Sequence, residues 1–242
     1  MIEKANWRAA RASWWRWNWR FLRQLFEGAV SHVARRAGSL DTARTKAFFE
    51  DRYRNGDPTV FDGGTEGYHD ALWDLLERWG TEVIVDLGCG EGTLLRFLQD
   101  DPSSDRKYLG LDFAEGAAPS GLSGKVFRGD IRDVPPSPIA GARNRTVVCV
   151  NTLCYIDQIH TVALLGRHAA GGDVCLILEP YPCWFWDRTF SKISPKYRTP
   201  EEVLSELLSL GWDVCDIQCH YVFLSRFLRV FPVSYSLVAR KT

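Results

Sequence analysis

Three glycines at alternate positions form the motif in this 242-residue chain that is best suited to binding a ligand. A short apolar run ends in Asp86, and the glycines follow it at Gly88, Gly90 and Gly92. Glycine has no Cβ, so backbone N–H groups in such a segment can approach a ligand closely, and the pattern predicts a buried strand, a ligand-binding turn and a helix start. A dinucleotide-binding G-x-G-x-x-G motif would need glycine at Thr93. The spacing therefore argues against NAD and for another adenosine-containing ligand.

Polar residues also stand at the ends of the next three apolar segments. Asp112 follows the glycine turn by about 20 residues, the distance at which a Rossmann-like site places a carboxylate against ribose hydroxyls. Asp130 ends the third segment and Asn151 ends the fourth. Because ligands bind at the carboxyl edge of open parallel sheets, these residues predict a single binding edge.

This D-x-G-x-G-x-G motif, with polar residues after successive strands, resembles motif I of the class I S-adenosylmethionine-dependent methyltransferases. The resemblance covers about residues 60–242. It implies S-adenosylmethionine as the cofactor and the following contact residues: Asp86, Gly88, Cys89, Gly90, Asp112, Phe113, Asp130, Ile131 and Asn151.

The resemblance also implies a role for each part of this set. Asp86 would lie near the amino and sulfonium groups, Asp112 would accept from the ribose hydroxyls, and Asp130 would accept from the adenine amine. Phe113 and Ile131 would pack on the adenine ring. The glycines would bring the backbone close to the methionine part, and the residue after the fourth strand would offer its carbonyl to the amino group.

The methyl acceptor is predicted less directly, because transfer from a sulfonium depends mainly on alignment and exclusion of water. A hydroxyl or phenol acceptor also needs a base. Tyr155 and His160 follow the fourth strand and are the candidates for this role. The alternative interpretation of His160 is a helix residue whose side chain faces solvent. Candidate acceptor-binding residues precede the first strand or follow the fifth: Tyr68, His69, Tyr181, Trp184 and Trp186. Packing beneath a long connection is the alternative for the aromatic residues after the fifth strand.

Strands that alternate with helix-length segments predict an α/β fold with a doubly wound, mostly parallel seven-stranded sheet. No helical pattern separates the predicted last strands, 212–218 and 234–240, so we expect an antiparallel last strand, as the family resemblance implies. Thr199, Pro200 and Glu202 form a capping-box helix start, and Gly211 marks that helix's end. We expect a Rossmann-like methyltransferase domain over residues 61–242.

Residues 1–60 are expected to form a helical extension. Five of the chain's ten tryptophans lie in residues 1–40, interleaved with arginines, and the pattern predicts a basic amphipathic helix over about residues 5–36. Its tryptophans point around much of the helix, so several sides must be buried. We predict a lid over the site; a contact with a second subunit and a membrane surface are the alternatives, and the protein is expected to be a monomer or homodimer.

Composition narrows the class of protein. The formal net charge is zero, which argues against a nucleic-acid substrate, and the seven cysteines include no C-x-x-C pair. We therefore expect free thiols in a cytoplasmic protein, no metal site, no signal peptide and no transmembrane helix.

The predicted function is S-adenosylmethionine-dependent methyl transfer to a small organic acceptor, aromatic or apolar. Three alternatives remain open on sequence grounds. The fold could instead serve a non-methylating natural-product step such as cyclisation, or methylate RNA with the Arg/Trp-rich helix as a stacking element. The N-terminal helix could also be a docking element for a partner or membrane.

Overall fold

A computed structural model describes residues 42–55, 76–92, 94–95, 105–114, 126–133, 144–156, 161–180, 197–225 and 228–242. Within these ranges, seven strands form one sheet in the order β3-β2-β1-β4-β5-β7-β6. The strands are β1 (Val83–Leu87), β2 (Lys107–Asp112), β3 (Val126–Arg128), β4 (Arg145–Val150), β5 (Val174–Pro180), β6 (Trp212–Ser225) and β7 (Leu228–Lys241). The α/β fold and the seven-stranded sheet are confirmed.

The first five strands are parallel, with β1 inside the sheet and β3 at its edge. Every residue of β1 is buried, because β2 and β4 flank it and both faces of the sheet are covered. A strand buried on both faces has a continuous apolar sequence, which explains why the run at Val83 shows no alternation. The carboxyl ends of β1, β2 and β4 consequently meet at one edge, next to the glycine turn.

The antiparallel last strand is also confirmed, since β7 pairs antiparallel with both β5 and β6. The predicted bounds of these strands were too short: β6 extends to Ser225, and β7 begins at Leu228. Beyond Pro180 at the end of β5, the two strands continue by pairing with each other through several register shifts. An almost unbroken apolar sequence containing Pro232 hides the two-residue period there.

Three α-helices have bounds within the described residues: α1 (Thr42–Asn55), α2 (Thr161–His168) and α3 (Pro200–Ser209). The capping box of α3 is confirmed, because Thr199 Oγ1 accepts from the Glu202 amide at 3.2 Å and the Glu202 carboxylate accepts from the Thr199 amide at 2.8 Å. Gly211 follows this helix with a φ of 76°, which suits glycine. No helix among the described residues is long and apolar enough to cross a membrane.

Hydrophobic residues pack on both faces of the sheet. One cluster joins α2 and α3 to the sheet and includes Val85, Val147 and Leu237. The other, around Ile84 and Leu95, lies on the opposite face with the segment after the glycine turn. The prediction of free thiols is confirmed for the described cysteines: Cys89, Cys149, Cys154, Cys175, Cys215 and Cys219. The predicted basic helix at residues 5–36 lies outside the described residues.

Candidate functional site

The glycine turn leaves the end of β1 in a left-handed backbone conformation. Gly88, Gly90 and Gly92 have φ values of 75°, 54° and 74°, and residues other than glycine rarely adopt such values. The amides of Gly88 and Cys89 donate to the Leu111 carbonyl at 2.7 and 3.1 Å, so the turn is held against the end of β2. The sequence motif therefore encodes a turn whose shape is fixed by the neighbouring strand.

Asp112 connects this turn to the end of β2. Its carboxylate accepts from the Gly90 amide and from the Ala114 amide, each at 2.9 Å, and the residue is only 4% exposed. Burial raises the pKa of Asp112, and the amide hydrogen bonds oppose that rise. A carboxylate oxygen has more than one acceptor site, so these oxygens can also accept from ligand hydroxyls. The placement fits the predicted ribose contact.

Asp86 lies beneath the turn and pairs with a residue that the sequence analysis missed. The Tyr108 hydroxyl donates to the Asp86 carboxylate at 2.6 Å. Burial raises the pKa of Asp86 to about 7; the hydrogen bond from Tyr108 opposes this shift and the charge of Asp112 adds to it. Burial also raises the pKa of the neighbouring Cys89 thiol. Tyr108 and Asp112 are four positions apart on β2, so their side chains lie on the same face of the sheet. This spacing was the sequence signal that could have placed Tyr108 near the site.

The end of β3 contains the two predicted adenine contacts in different surroundings. Asp130 is paired with Arg132, whose Nε donates to it at 2.8 Å, and this hydrogen bonding lowers the pKa of Asp130. Ile131 is buried in the core cluster beside α2 and α3. Asp130 keeps its charge at neutral pH, whereas the Ile131 side chain already packs within the protein.

Helix α1 brings two further aromatic residues to the site. The Phe49 ring lies 5.0 Å from Tyr155 and 6.3 Å from Phe113, measured between ring centroids, and both pairs meet edge to face. One turn later, Tyr53 approaches the glycine turn so closely that a Cβ built on Gly90 would lie 3.1 Å from its hydroxyl oxygen. Sequence analysis missed both residues; their i, i+4 spacing placed them on one helix face.

Replacing Phe49 with alanine should weaken S-adenosylhomocysteine binding by about fivefold. Each edge-to-face pair contributes about 1 kcal/mol, and losing both leaves α1 poorly held over the turn. Isothermal titration calorimetry measures the change. Arg54→Ala, at an exposed position on the same helix, is the matched control and should keep wild-type affinity. Equal affinities for Phe49→Ala and wild type would exclude α1 from the site.

The segment after β4 completes the described part of the site. Asn151 has a φ of 52°, and Thr152 packs directly on Gly88, where an added Cβ would lie 2.1 Å from the threonine hydroxyl oxygen. Tyr155 ends the short 3₁₀-helix Leu153–Tyr155 and contacts Phe49. Strands β1, β2 and β4 and helix α1 therefore converge at one edge of the sheet.

Most predicted cofactor residues are brought together by this convergence. Those that meet around the turn are Asp86, Gly88, Cys89, Gly90, Asp112, Phe113, Asn151 and the candidate base Tyr155. Asp130 and Ile131 follow β3, and the remaining candidates lie outside the described residues: Tyr68, His69, His160, Tyr181, Trp184 and Trp186. No group of side chains suited to holding a metal ion occurs in the described part of the chain.

Solved structures with the same architecture are numerous. A methyltransferase from Burkholderia thailandensis, solved with 1,6-didemethyltoxoflavin and S-adenosylhomocysteine, has a TM-score of 0.62 at 14% identity and covers 83% of this chain and 88% of its own. An S-adenosylmethionine-dependent methyltransferase from Anabaena variabilis gives 0.60 at 14% identity, covering 86% of this chain and 99% of its own. One from Mesorhizobium loti gives 0.52 at 16% identity, covering 71% and 98%.

The chain has the class I methyltransferase fold. No protein-family model matches the sequence, and no curated protein matches it. The likeness is therefore one of architecture, and it agrees with the strand order and the turn geometry.

Proposed function

We propose that this protein transfers a methyl group from S-adenosylmethionine to a small organic acceptor. The observation that carries the proposal is the Asp112 carboxylate, which lies at the end of β2 and holds the Gly90 amide at 2.9 Å. This arrangement supports the proposal, because a carboxylate that could accept from ribose hydroxyls and a glycine backbone that a ligand could approach closely lie at the same edge of the sheet. The methyltransferase fold of the chain supports the same assignment.

The surrounding residues suit an adenosine ligand with a cationic amino-acid tail. Bound S-adenosylmethionine supplies a methyl group activated by its sulfonium charge. Asp112 would accept from the ribose hydroxyls, and the buried Asp86 carboxylate would favour the cationic portion. Phe49 and Phe113 would exclude water from the space above the turn, and excluding water favours methyl transfer.

Tyr155 is the described residue best placed on the acceptor side. It follows β4 closely and contacts the Phe49 ring, so its position is fixed from two directions. We assign it contact with the acceptor, as a base or as an orienting group. An aromatic or apolar acceptor would bind between Tyr155 and the aromatic segment containing Tyr181, Trp184 and Trp186, with residues 1–60 as a covering extension.

Asp112→Ala should lower S-adenosylhomocysteine affinity by about 1.5–3 kcal/mol, because it removes charge-assisted hydrogen bonds to the ribose. Titration calorimetry of both proteins tests the proposal before any acceptor is known. Wild-type protein that does not bind S-adenosylhomocysteine would overturn the proposed function. Wild-type affinity in the alanine variant would overturn only the ribose assignment. Screening aromatic and apolar small molecules with labelled S-adenosylmethionine then identifies the acceptor.

A further inference from the structure

Glu179 is a buried carboxylate near the end of β5, and it hydrogen-bonds three successive backbone amides. Its Oε1 accepts from Thr152 and Leu153, each at 2.8 Å, and its Oε2 accepts from Cys154 at 3.2 Å. The residue is 3% exposed. Burying a carboxylate costs free energy unless hydrogen bonds compensate it. Among the described residues, these hydrogen bonds come from one short segment, residues 151–155, which we call the β4 turn.

The β4 turn touches two parts of the candidate site. The side chain of Thr152 packs against Gly88 of the glycine turn, and Tyr155 packs against Phe49 of α1. At its start, Asn151 has a φ of 52°, a left-handed conformation that asparagine adopts more readily than most other residues with a side chain. The three hydrogen bonds to Glu179 begin at the next residue.

The Asn151 carbonyl is one acceptor of the β4 turn that has no donor among the described residues. The Asn151 amide, in contrast, donates to the Leu178 carbonyl at 2.8 Å. A carbonyl at the carboxyl edge of β4 lies beside the glycine turn, where the amino-acid end of the proposed cofactor would bind. The left-handed backbone conformation of Asn151 sets the direction of the Asn151 carbonyl. The contacts that fix the β4 turn therefore also fix this direction.

We propose that Glu179 is a positioning residue: by holding the amides of residues 152–154, it aims the Asn151 carbonyl at the amino group of bound S-adenosylmethionine. This inference rests on the proposed function, because it concerns the same cofactor site. It gives a role to a carboxylate that is buried near the end of a mostly apolar strand. Glu179 does not touch the reacting atoms and acts through the β4 turn.

Two ligands separate positioning from a general effect on stability. S-adenosylhomocysteine has the amino-acid tail, whereas 5′-methylthioadenosine has the same nucleoside without it. Glu179→Gln keeps the shape of the side chain but turns an amide N–H₂ toward a backbone N–H, so the three hydrogen bonds cannot all form. We expect the variant's Kd for S-adenosylhomocysteine to rise about tenfold, and its Kd for 5′-methylthioadenosine to stay within about twofold of wild type.

Tyr235→Phe is the matched control. Tyr235 stands directly opposite Glu179 on β7, is fully buried, and its hydroxyl has no hydrogen-bond partner among the described residues. Removing that hydroxyl changes the same buried layer and breaks no hydrogen bond to the β4 turn, so both Kd values should remain at wild-type level.

Calorimetry with the two ligands gives distinct outcomes. Wild-type protein that binds neither ligand overturns the proposed function. If wild type binds both, the inference is overturned when Glu179→Gln keeps its S-adenosylhomocysteine affinity or loses affinity for both ligands equally.

Should Glu179→Gln not fold, hydrogen exchange of the wild-type amides 152–154 provides the test. S-adenosylhomocysteine should slow their exchange more than saturating 5′-methylthioadenosine does. Equal slowing by the two ligands overturns the inference.

Discussion

Gly88→Ala is expected to destabilise the protein by about 2–5 kcal/mol and to abolish S-adenosylhomocysteine binding. Two causes add at this position. The φ of 75° disfavours any side chain, and the new methyl group would lie 2.1 Å from the Thr152 hydroxyl oxygen. Since domains are stable by only about 5–15 kcal/mol, this single methyl group removes a large part of the total. Urea denaturation and titration calorimetry measure the two effects.

Two further variants separate the causes. Gly80 also has a positive φ, 56°, but a Cβ there would meet nothing within 4 Å. Gly80→Ala should therefore cost only the backbone strain, about 1–2 kcal/mol. Adding Thr152→Gly to Gly88→Ala should recover part of the lost stability because it removes the colliding side chain. Equal stability of Gly88→Ala and Gly80→Ala would contradict the close contact between Gly88 and the Thr152 side chain.

Asp86→Asn should stabilise the protein at high pH while weakening cofactor binding. The pKa of Asp86 rises from 3.8 to about 7 on folding, chiefly through burial, so the folded state favours the protonated carboxyl. That contribution to stability is fully present below pH 3.8 and is lost as the pH rises through about 7. An asparagine stays neutral and can still accept a hydrogen bond from Tyr108. The variant therefore avoids the loss of about 4 kcal/mol in the free energy of unfolding that ionisation of Asp86 causes in the wild type.

The measurement is the free energy of unfolding without ligand at several pH values between 4 and 8.5. Asp86→Asn and wild type should be about equally stable at the acid end, and the advantage of the variant should grow up to about pH 7 and then level off. Asp105→Asn replaces an exposed carboxylate and is the control. A stability difference between Asp86→Asn and wild type that does not change with pH would contradict the assignment.

Local sequence patterns predicted much of the fold. The apolar run before Asp86, the alternating glycines and the capping box at Thr199 each depend on neighbouring residues along the chain, and each has the predicted structure. The antiparallel β7 was predicted from the missing helical pattern before it and from the family resemblance, whereas the strand order came from the structure. The extended pairing of β6 with β7 was not predicted, because apolar residues without a regular period give no signal of register.

The sequence by itself determined the presence of a glycine turn and the carboxylates Asp86 and Asp112 beside it, since motif spacing along the chain specifies these. Tertiary structure alone decided what surrounds them: Phe49 from α1 over the turn, Tyr108 on Asp86, and Glu179 beneath the β4 turn. The physical reason is separation along the chain. These contacts join residues 22 to 106 positions apart, so they depend on how strands and helices pack, and no local pattern encodes them.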